Sequence, residues 1–545
     1  VGIILIPQGM AYAMIAGLPP VYGLYASLFP ILTYAFLGTS RQIAVGPVAM
    51  DSLLVAAGLG TLAISGVQNY ILMALFLSFM VGAFQLIFGF LRMGFLVNFM
   101  SRPVISGFTS AAALIIIFSQ LKHLLGADII NSNKFHELVM NAFQHLSETN
   151  IYDFSIGIIG ILIIVSFKKW YDRFPAILLV VVLSSLGVYF FNLEAFDVQV
   201  VGEVPAGLPS FNLHSFSMEK FRDIWPIALT LALVGYLEAI SIGRAFEEKN
   251  KVETIDPNQE LIALGASNMI GSFFQSYSVT ASFSRSAINY EAGAKTTVAS
   301  LISVVMVALT LLFLTPLFYN LPKAALASII MVSVFGLIDL SYPKKLWNQS
   351  KDEFMVLLIT FLITLGVGIV EGILIGVLLS LLLMVYRTSK PHFAVLGKIK
   401  GSDYYKNISR FGDEAEVRSD LLIVRFDSQL YFGNLGYFKS ELFKFINVKG
   451  RSLKAVILNA EAINYIDASA SAMLINVIEE IHNRNIEFYI AGATGPIRDI
   501  IFKSGIINCL HKEYLFVKIK EAVAYHDDPN TIPGELLPII IRMAY

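Results

Sequence analysis

The chain has 545 residues, of which 56% are hydrophobic and only 14% are charged, and its mean hydropathy is +0.69. A soluble domain has about 25% charged residues, so most of this chain is predicted to lie in a membrane. The net charge of −1 gives no sign of a nucleic-acid partner, and the single cysteine, Cys509, excludes an intrachain disulfide framework. Because Val1 already lies in an apolar run, we expect the true N-terminus to lie upstream.

Apolar segments long enough to span a bilayer recur up to residue 388. We place about fourteen, near 1–17, 21–37, 44–60, 70–91, 104–122, 153–167, 174–191, 224–244, 258–275, 279–292, 297–318, 323–339, 353–369 and 371–387. With a cytoplasmic N-terminus, most basic residues fall on the cytoplasmic side, as the positive-inside rule requires. These residues include Arg41, Arg92, Arg102, Lys168, Lys169, Arg244, Lys344, Lys345, Arg387 and Lys390.

The composition changes after residue 388. We predict a linker over 389–410, a soluble α/β domain over 411–527 and a tail over 528–545. Strand-like apolar runs alternate with helical periodicity in this region, which indicates a mostly parallel sheet covered by helices. The predicted strands are Leu421–Phe426, Lys454–Leu458 and Ile486–Ala491, and the predicted helices are Ala468–Asn483 and Gly495–Ser504.

The stretch Ser276–Lys295 lies between two apolar segments, yet it is rich in hydroxyl groups and contains Arg285. A cation at mid-membrane depth costs about 2.5–3.5 kcal/mol or more, so Arg285 should face water, a partner or an anion. The hydroxyl-rich start resembles the N-terminus of a short helix, which attracts anions. We interpret this stretch as half of an anion site; the alternative is a loop with an exposed arginine.

Two other interrupted segments carry polar residues. In Ile6–Tyr12, Pro7 and Gly9 weaken the helix beside Gln8 and Tyr12, which share one face; an ordinary kinked helix is the alternative. In Ala44–Asp51, Gly46-Pro47 suits a helix start with proline as its first residue. Short interrupted helices in both halves of a carrier point to its substrate site, so we expect two facing helix N-termini.

Two carboxylates lie inside predicted spans. Glu238 is deep in the eighth segment and is a functional candidate, because buried acids are costly in a membrane. It could take up a proton with the anion, or it could form a static pair with Arg285. Asp51 could be a second functional carboxylate or could pair with a neighbouring hydroxyl.

In the soluble domain, Asp467 or Ser469 could cap the helix that follows. Nothing near them resembles a base–nucleophile pair, and the domain lacks a phosphate loop, a metal cluster or a triad. We therefore predict no enzyme activity and no cofactor.

Together these stretches resemble the sulfate permease (SulP) family of anion carriers. The similarity is carried by Pro19–Ser27, Ile6–Ala13, Arg41–Pro47, Ser282–Ser286 and Gly293–Thr296. The C-terminal domain resembles the STAS domain, with Asp467–Ser469 matching its Asp-x-Ser motif. Ser469 stands where related domains are phosphorylated, but the usual following glycine is Ala470 here.

The resemblance implies an α-helical membrane protein with fourteen helices in a 7+7 inverted repeat and a cytoplasmic α/β STAS domain. A core (about 1–92 and 223–316) would move against a gate (about 95–191 and 318–388), usually in homodimers. The site residues would be Gln8, Tyr12, Val48, Ala49, Ser282, Phe283, Ser284 and Arg285, with Glu238 and Asp51 for proton coupling and Asp467 and Ser469 for regulation.

The leading hypothesis is a proton-coupled sulfate importer in a bacterial plasma membrane, with a cytoplasmic partner at the STAS domain. The first alternative keeps the fold but carries bicarbonate, chloride or a dicarboxylate. A second alternative, from a different class, is an anion channel.

Overall fold

The computed structural model describes residues 1–62, 64–95, 101–129, 132, 134–171, 174–213, 218–250, 255–510 and 514–529. It divides into two compact units, Val1–Leu381 and Leu382–Tyr545. Within the predicted tail 528–545, everything from residue 530 onward lies outside the described part.

The first unit is helical. Its first half contains α1 Gly2–Ile15, α2 Val21–Tyr25, α3 Phe29–Leu37, α4 Ala49–Gly60, α5 Val67–Phe90, α6 Arg102–Ser119, α7 Leu121–Leu125, α8 Phe135–Gln144, α9 Ile151–Trp170 and α10 Ala176–Phe191. Its second half contains α11 Met218–Asn250, α12 Pro257–Phe273, α13 Phe283–Glu291, α14 Val298–Leu309, α15 Lys323–Phe335, α16 Ser341–Gln349, α17 Lys351–Gly366 and α18 Ile369–Ser389, whose last turns belong to the second unit. Two short strands, β1 Val45–Gly46 and β2 Thr280–Ala281, lie among them.

Six helical stretches of the described chain are long and apolar enough to cross a membrane. They are Val67–Phe90, Arg102–Leu125, Ile151–Trp170, Lys220–Arg244, Val298–Phe318 and Ile369–Ser389. Shorter apolar helices, such as α1, α4 and α15, lie close to other predicted segments. The total of fourteen spans remains a prediction.

Close helix contacts in this unit depend on glycine. A Cβ atom on Gly82 of α5 would lie 2.6 Å from the carbonyl oxygen of Gly265 in α12, and one on Gly265 would lie 2.9 Å from the carbonyl oxygen of Gly82. Similarly, a Cβ on Gly23 of α2 would lie 1.9 Å from the carbonyl oxygen of Gly9 in α1. Small residues let membrane helices approach closely enough for extensive van der Waals contact, so these positions set the spacing of the helices around the site.

The second unit is an α/β domain. Its strands are β3 Phe393–Ile399, β4 Tyr405–Asn407, β5 Ala415–Glu416, β6 Leu421–Phe426, β7 Ala455–Asn459, β8 Glu487–Ala491 and β9 Leu515–Phe516. Its helices are α19 Ile408–Phe411, α20 Leu435–Lys449, α21 Ala468–His482, α22 Gly495–Lys503, α23 Ile506–Leu510 and α24 Ile519–Asp527. The strand order is β4-β3-β6-β7-β8-β9, and β5 also pairs with β3.

The sheet is parallel from β6 to β9, as the alternation of strands and helices predicts. In register, Leu421 lies opposite Ala455, and Ala455 lies opposite Glu487. The central strand β7 is buried along its whole length, because helices cover both faces of the sheet.

The predicted linker over 389–410 is wrong for most of its length, because β3 and β4 are part of this sheet. β3 pairs antiparallel with β6, from Phe393 opposite Phe426 to Leu396 opposite Ile423. The Phe393 ring lies 5.8 Å from that of Phe438 and 5.9 Å from that of Phe426. The short apolar run of β3 was missed because it follows a membrane segment directly.

A charge cluster attaches the start of β3 to the end of β6. Arg425 donates to both oxygens of Asp427 at 2.5 and 2.9 Å, and His392 Nδ1 lies 2.8 Å from Asp427 Oδ2. Burial opposes ionisation of Asp427, but these contacts outweigh it and hold its pKa below the ordinary value. His392 is therefore part of the folded α/β domain, although it lies in the predicted linker.

We predict that residues 391–529 fold as an independent domain and that residues 411–529 do not. The shorter fragment lacks β3, so it exposes the edge of β6 and removes Phe393 from the core. Thermal unfolding followed by circular dichroism should show a cooperative transition for the longer fragment only. Equal midpoints for the two fragments would show that β3 is dispensable.

Candidate anion-binding site

The site is organised by the pairing of β1 with β2. The two strands run antiparallel, with Val45 opposite Ala281 and Gly46 opposite Thr280. The Ser282 amide extends this ladder by donating to the Ala44 carbonyl oxygen at 3.0 Å. These strands were not predicted from the sequence, because two residues are too few to show periodicity.

A helix begins directly after each strand. α4 begins at Ala49 with Val48 as its N-cap, and α13 begins at Phe283 with Ser282 as its N-cap. Since the strands are antiparallel and paired, the two helices leave in opposite directions and their N-termini lie close together. Each N-terminus has free N–H groups and the positive end of a helix dipole. Anion binding between the two N-termini stays a prediction.

The start of α4 differs from the prediction in one detail. Pro47 precedes the N-cap Val48, so it is not the first helical residue. Val48 has no side-chain cap, whereas the Ser282 hydroxyl accepts from the Arg285 amide at 3.5 Å. The amides at the start of α4 therefore have no side-chain acceptor at the N-cap.

Arg285 is buried, with 1% of its surface exposed. Within the described part of the chain, none of its three guanidinium nitrogens has a hydrogen-bond partner. The hypothesis of a loop with an exposed arginine is therefore wrong. A static hydrogen-bonded pair with Glu238 is also absent.

Gly46 is needed beside this guanidinium. Its φ of +148° is one that other residues rarely adopt. A Cβ atom at Gly46 would lie 3.3 Å from Arg285 Nη2. Glycine thus permits both the strand conformation and the close approach of the cation.

Asp51 and Glu238 lie on facing helices, α4 and α11. Asp51 is 1% exposed, and a Cβ atom on Gly235 of α11 would lie 3.4 Å from Asp51 Oδ2. Asp51 Oδ1 and Glu238 Oε2 are buried and have no hydrogen-bond partner among the described residues. A buried acid, a half-buried acid and a buried cation therefore lie in the same part of the unit.

A cavity of about 260 Å³ reaches Glu238, but neither Asp51 nor Arg285 is among its lining residues. Glu238 and Phe283 line it from one side, and Phe108, Thr109 and Leu337 contribute from α6 and the segment after α15. Its walls thus come from both the predicted core and the predicted gate.

The other predicted residues surround this region. Gln8 and Tyr12 of α1 are buried, and Gln8 Oε1 has no partner in the described chain. Val48, Ala49 and Ser282 are also buried. Ser284 is exposed, and its hydroxyl lies 3.4 Å from that of Ser282.

Sequence reasoning missed a buried polar face on α13. Ser286 Oγ accepts from the Ala44 amide at 2.9 Å, and Asn289 donates to the Gln42 carbonyl oxygen at 3.2 Å. With Ser282 and Arg285 these residues follow an i, i+3, i+4, i+7 pattern, the usual sign of one helix face. This face bonds α13 to the strand that leads into α4.

A second set of hydrogen bonds attaches β2 and the residue before it to the neighbouring helices. The Asn268 amide bonds both backbone groups of Val279, at 2.8 and 3.0 Å, and also donates to Gln85 at 3.1 Å. Thr280 donates to the Gly235 carbonyl oxygen at 2.6 Å. Polar residues of α5, α11 and α12 thereby fix β2.

In the second unit, Asp467 is the N-cap of α21, as predicted. Its Oδ1 accepts from the Ala470 amide at 2.7 Å, and its Oδ2 accepts from the Phe432 amide at 2.9 Å. Ser469 is exposed. Asp467 therefore has a structural role, and a regulatory role for either residue stays a prediction.

Comparison with known proteins matches both units. The sequence profile of the Sulfate permease family matches residues 1–360, and that of the STAS domain matches residues 414–523. The chain is 38% identical to "Sulfate transporter 4.1, chloroplastic" of Arabidopsis thaliana over 541 residues, which is 96% of this chain and 78% of that protein. It is 32% identical to "High affinity sulfate transporter 2" of Stylosanthes hamata, over 95% of this chain and 81% of that protein.

Solved structures share the fold. The structure of the murine Solute Carrier 26 family member A9 anion transporter in the inward-facing state has a TM-score of 0.90 and 27% identity, over 96% of this chain and 90% of that chain. The transmembrane domain of the cyanobacterium bicarbonate transporter BicA has a TM-score of 0.59 and 22% identity, over 70% of this chain and 94% of that chain. The second likeness concerns the fold alone.

We predict that Gly46→Ala weakens anion binding, because the new Cβ strains the strand and presses on Arg285 Nη2. Gly66→Ala is the matched control, since Gly66 also has a positive φ of 85° but no atom within 4 Å of its Cβ position. Anion-induced thermal stabilisation of the purified proteins measures the effect. Equal behaviour of the two variants would contradict the role of Gly46.

Proposed function

The chain belongs to the sulfate permease family and has a C-terminal STAS domain, and from this premise we propose that it is a proton-coupled sulfate importer. Its homologues are named as sulfate transporters, and the chain has the fold of a helical membrane transporter. It is an anion transporter and an integral membrane protein. The sulfate specificity, the proton coupling and the alternating-access motion are the proposal.

The observation that carries the proposal is Arg285, buried without a protein partner beside two helix N-termini. A buried cation with unsatisfied donors is costly, and an anion supplies the missing acceptors. The planar guanidinium can pair with two oxygens of one tetrahedral anion. Hydroxyl groups of Ser282 and Ser284 and amides at the starts of α4 and α13 are the other expected donors.

The proposed coupling uses the two acids Asp51 and Glu238. A doubly charged anion entering a cell with a negative interior moves against the potential, at about 2.3 kcal/mol per charge per 100 mV. Two protons moving with it cancel that cost. Glu238, which lines the cavity, is proposed as the main proton carrier, and Asp51 as the second.

The proposed transport step is an elevator-type movement. The predicted core, which contains α4 and α13, would move with its anion against the predicted gate, whose helices supply the opposite wall of the cavity. A homodimer is the proposed assembly. By the positive-inside pattern, we propose that the STAS domain faces the cytoplasm and binds a partner there.

The expected bacterial plasma membrane has no support from the relatives. The two sulfate transporters named above are plant proteins, and one of them is named chloroplastic. Their names therefore give no support to a particular bacterial membrane.

We predict that Arg285→Ala abolishes sulfate binding without preventing folding. Arg285→Lys should rescue binding only in part, because an ammonium lacks the planar fork. Calorimetric titration with sulfate, chloride and bicarbonate measures affinity and selectivity, and gel filtration checks folding. Unchanged sulfate affinity in Arg285→Ala would disprove the site, and tighter binding of bicarbonate or chloride by the parent would disprove the cargo.

We predict that Glu238→Gln retains exchange of sulfate for sulfate but loses accumulation driven by an acidic exterior. Glutamine keeps the shape of protonated glutamate and cannot release a proton. Counterflow and proton-driven uptake are measured in the same proteoliposomes. If the variant concentrates sulfate as the parent does, Glu238 has no coupling role. If the parent protein carries ion currents far above the turnover of a carrier, it is a channel.

A further inference from the structure

A second concave surface lies away from the anion site, and we call it the α9–α15 groove. It has a volume of about 540 Å³, and Ile117, Val165, Val332 and Phe335 are among its apolar lining residues. Its size lies within the usual range for ligand pockets, about 300–1,000 Å³. Since the unit spans a membrane, an apolar groove of this kind is accessible to lipid chains.

One end of the groove is basic. Lys168 and Lys169, in the last turn of α9, line it together with the apolar residues. Both side chains are exposed, and neither has an ion pair to an acidic residue within the described chain. The helix dipole favours cations at this end of α9, but it does not explain why they border a groove.

The next two residues mark the level of the membrane surface. Trp170 is 83% exposed and Tyr171 is 61% exposed. Exposed tryptophan and tyrosine concentrate at the membrane–water interface. The two lysines are thus placed at the level of lipid headgroups, with the apolar part of the groove beside them.

We propose that the α9–α15 groove binds one anionic phospholipid, with its phosphate at Lys168 and Lys169 and an acyl chain along Val165, Val332 and Phe335. A basic pocket between membrane helices on the cytoplasmic side is the arrangement that recognises anionic headgroups. Both lysines fall on that side by the positive-inside pattern. A zwitterionic lipid has the same chains but no net negative charge, so it binds more weakly.

The groove is connected to the anion site by two elements. Gly336 lines the groove, and the next residue, Leu337, lines the cavity that contains Glu238. On α6, Ile117 lines the groove and Thr109 lines the cavity. A lipid in the groove therefore contacts the elements that form the outer wall of the site, and its binding alters transport rate.

The test uses the full chain in neutral detergent, with dioleoyl phosphatidylglycerol or dioleoyl phosphatidylcholine as the probe and native mass spectrometry as the readout. The double variant Lys168→Gln/Lys169→Gln should lose affinity for phosphatidylglycerol on the order of 30-fold. Lys344→Gln/Lys345→Gln is the matched control, since these adjacent lysines are also exposed and on the same predicted side but do not line the groove. The control should bind as the parent does.

A second variant leaves the lysines intact. Val332→Trp fills the apolar part of the groove and should reduce the amount of bound phosphatidylglycerol. In vesicles that contain either phosphatidylglycerol or phosphatidylcholine, the exchange activity of this variant should no longer depend on which lipid is present.

Equal binding of the two lipids, equal losses in both lysine pairs, or displacement by inorganic phosphate would each overturn the proposal. A change of oligomeric state with no change in bound lipid would assign the groove to a second copy of the chain. The binding readout does not depend on which anion is transported.

Discussion

The structure depends on the burial of one cation that no described protein group neutralises by a hydrogen bond. Arg285 lies where two helix N-termini add their own positive ends, each equivalent to about half an elementary charge. Such an arrangement is expensive in a medium of low dielectric constant unless negative charge is nearby. The two acids Asp51, which is buried, and Glu238, which is half-buried, supply that charge from facing helices without a hydrogen bond to the guanidinium nitrogens. In the proposed function, the anion and the acids therefore compete electrostatically for the same cation.

Close packing makes this arrangement feasible. The glycine contact between α5 and α12 brings the polar side chains of Gln85 and Asn268 together, and Asn268 in turn fixes the backbone before β2. Interrupted helices leave free backbone groups at membrane depth, and these must be satisfied inside the protein. The hydrogen bonds of Asn268, Thr280, Ser286 and Asn289 meet that demand on both sides of the strand pair. The guanidinium nitrogens of Arg285 take no part in these bonds.

Much of this could be predicted from single residues and periodicity. Apolar runs located the membrane helices, and the cost of a buried charge identified Arg285 and Glu238. The strand pair could not be predicted, because its register joins residues more than 230 positions apart and each strand has only two residues. The position of Pro47 depends on that pairing, since β1 delays the start of α4 beyond the proline. β3 was missed for a different reason: its short apolar run directly follows a membrane segment, and only its pairing with β6 shows that it belongs to the sheet.

The strand pair is held by main-chain atoms, and its supports bind backbone groups of Val279, Ala44, Gln42 and Gly235. The side chains that line the cavity, such as Phe283 and Glu238, take no part in these bonds. Substitutions at the cavity-lining positions can therefore accumulate without loss of the framework that presents them. A scaffold of this kind is suited to evolutionary diversification, in which one architecture comes to serve anions of different size and charge.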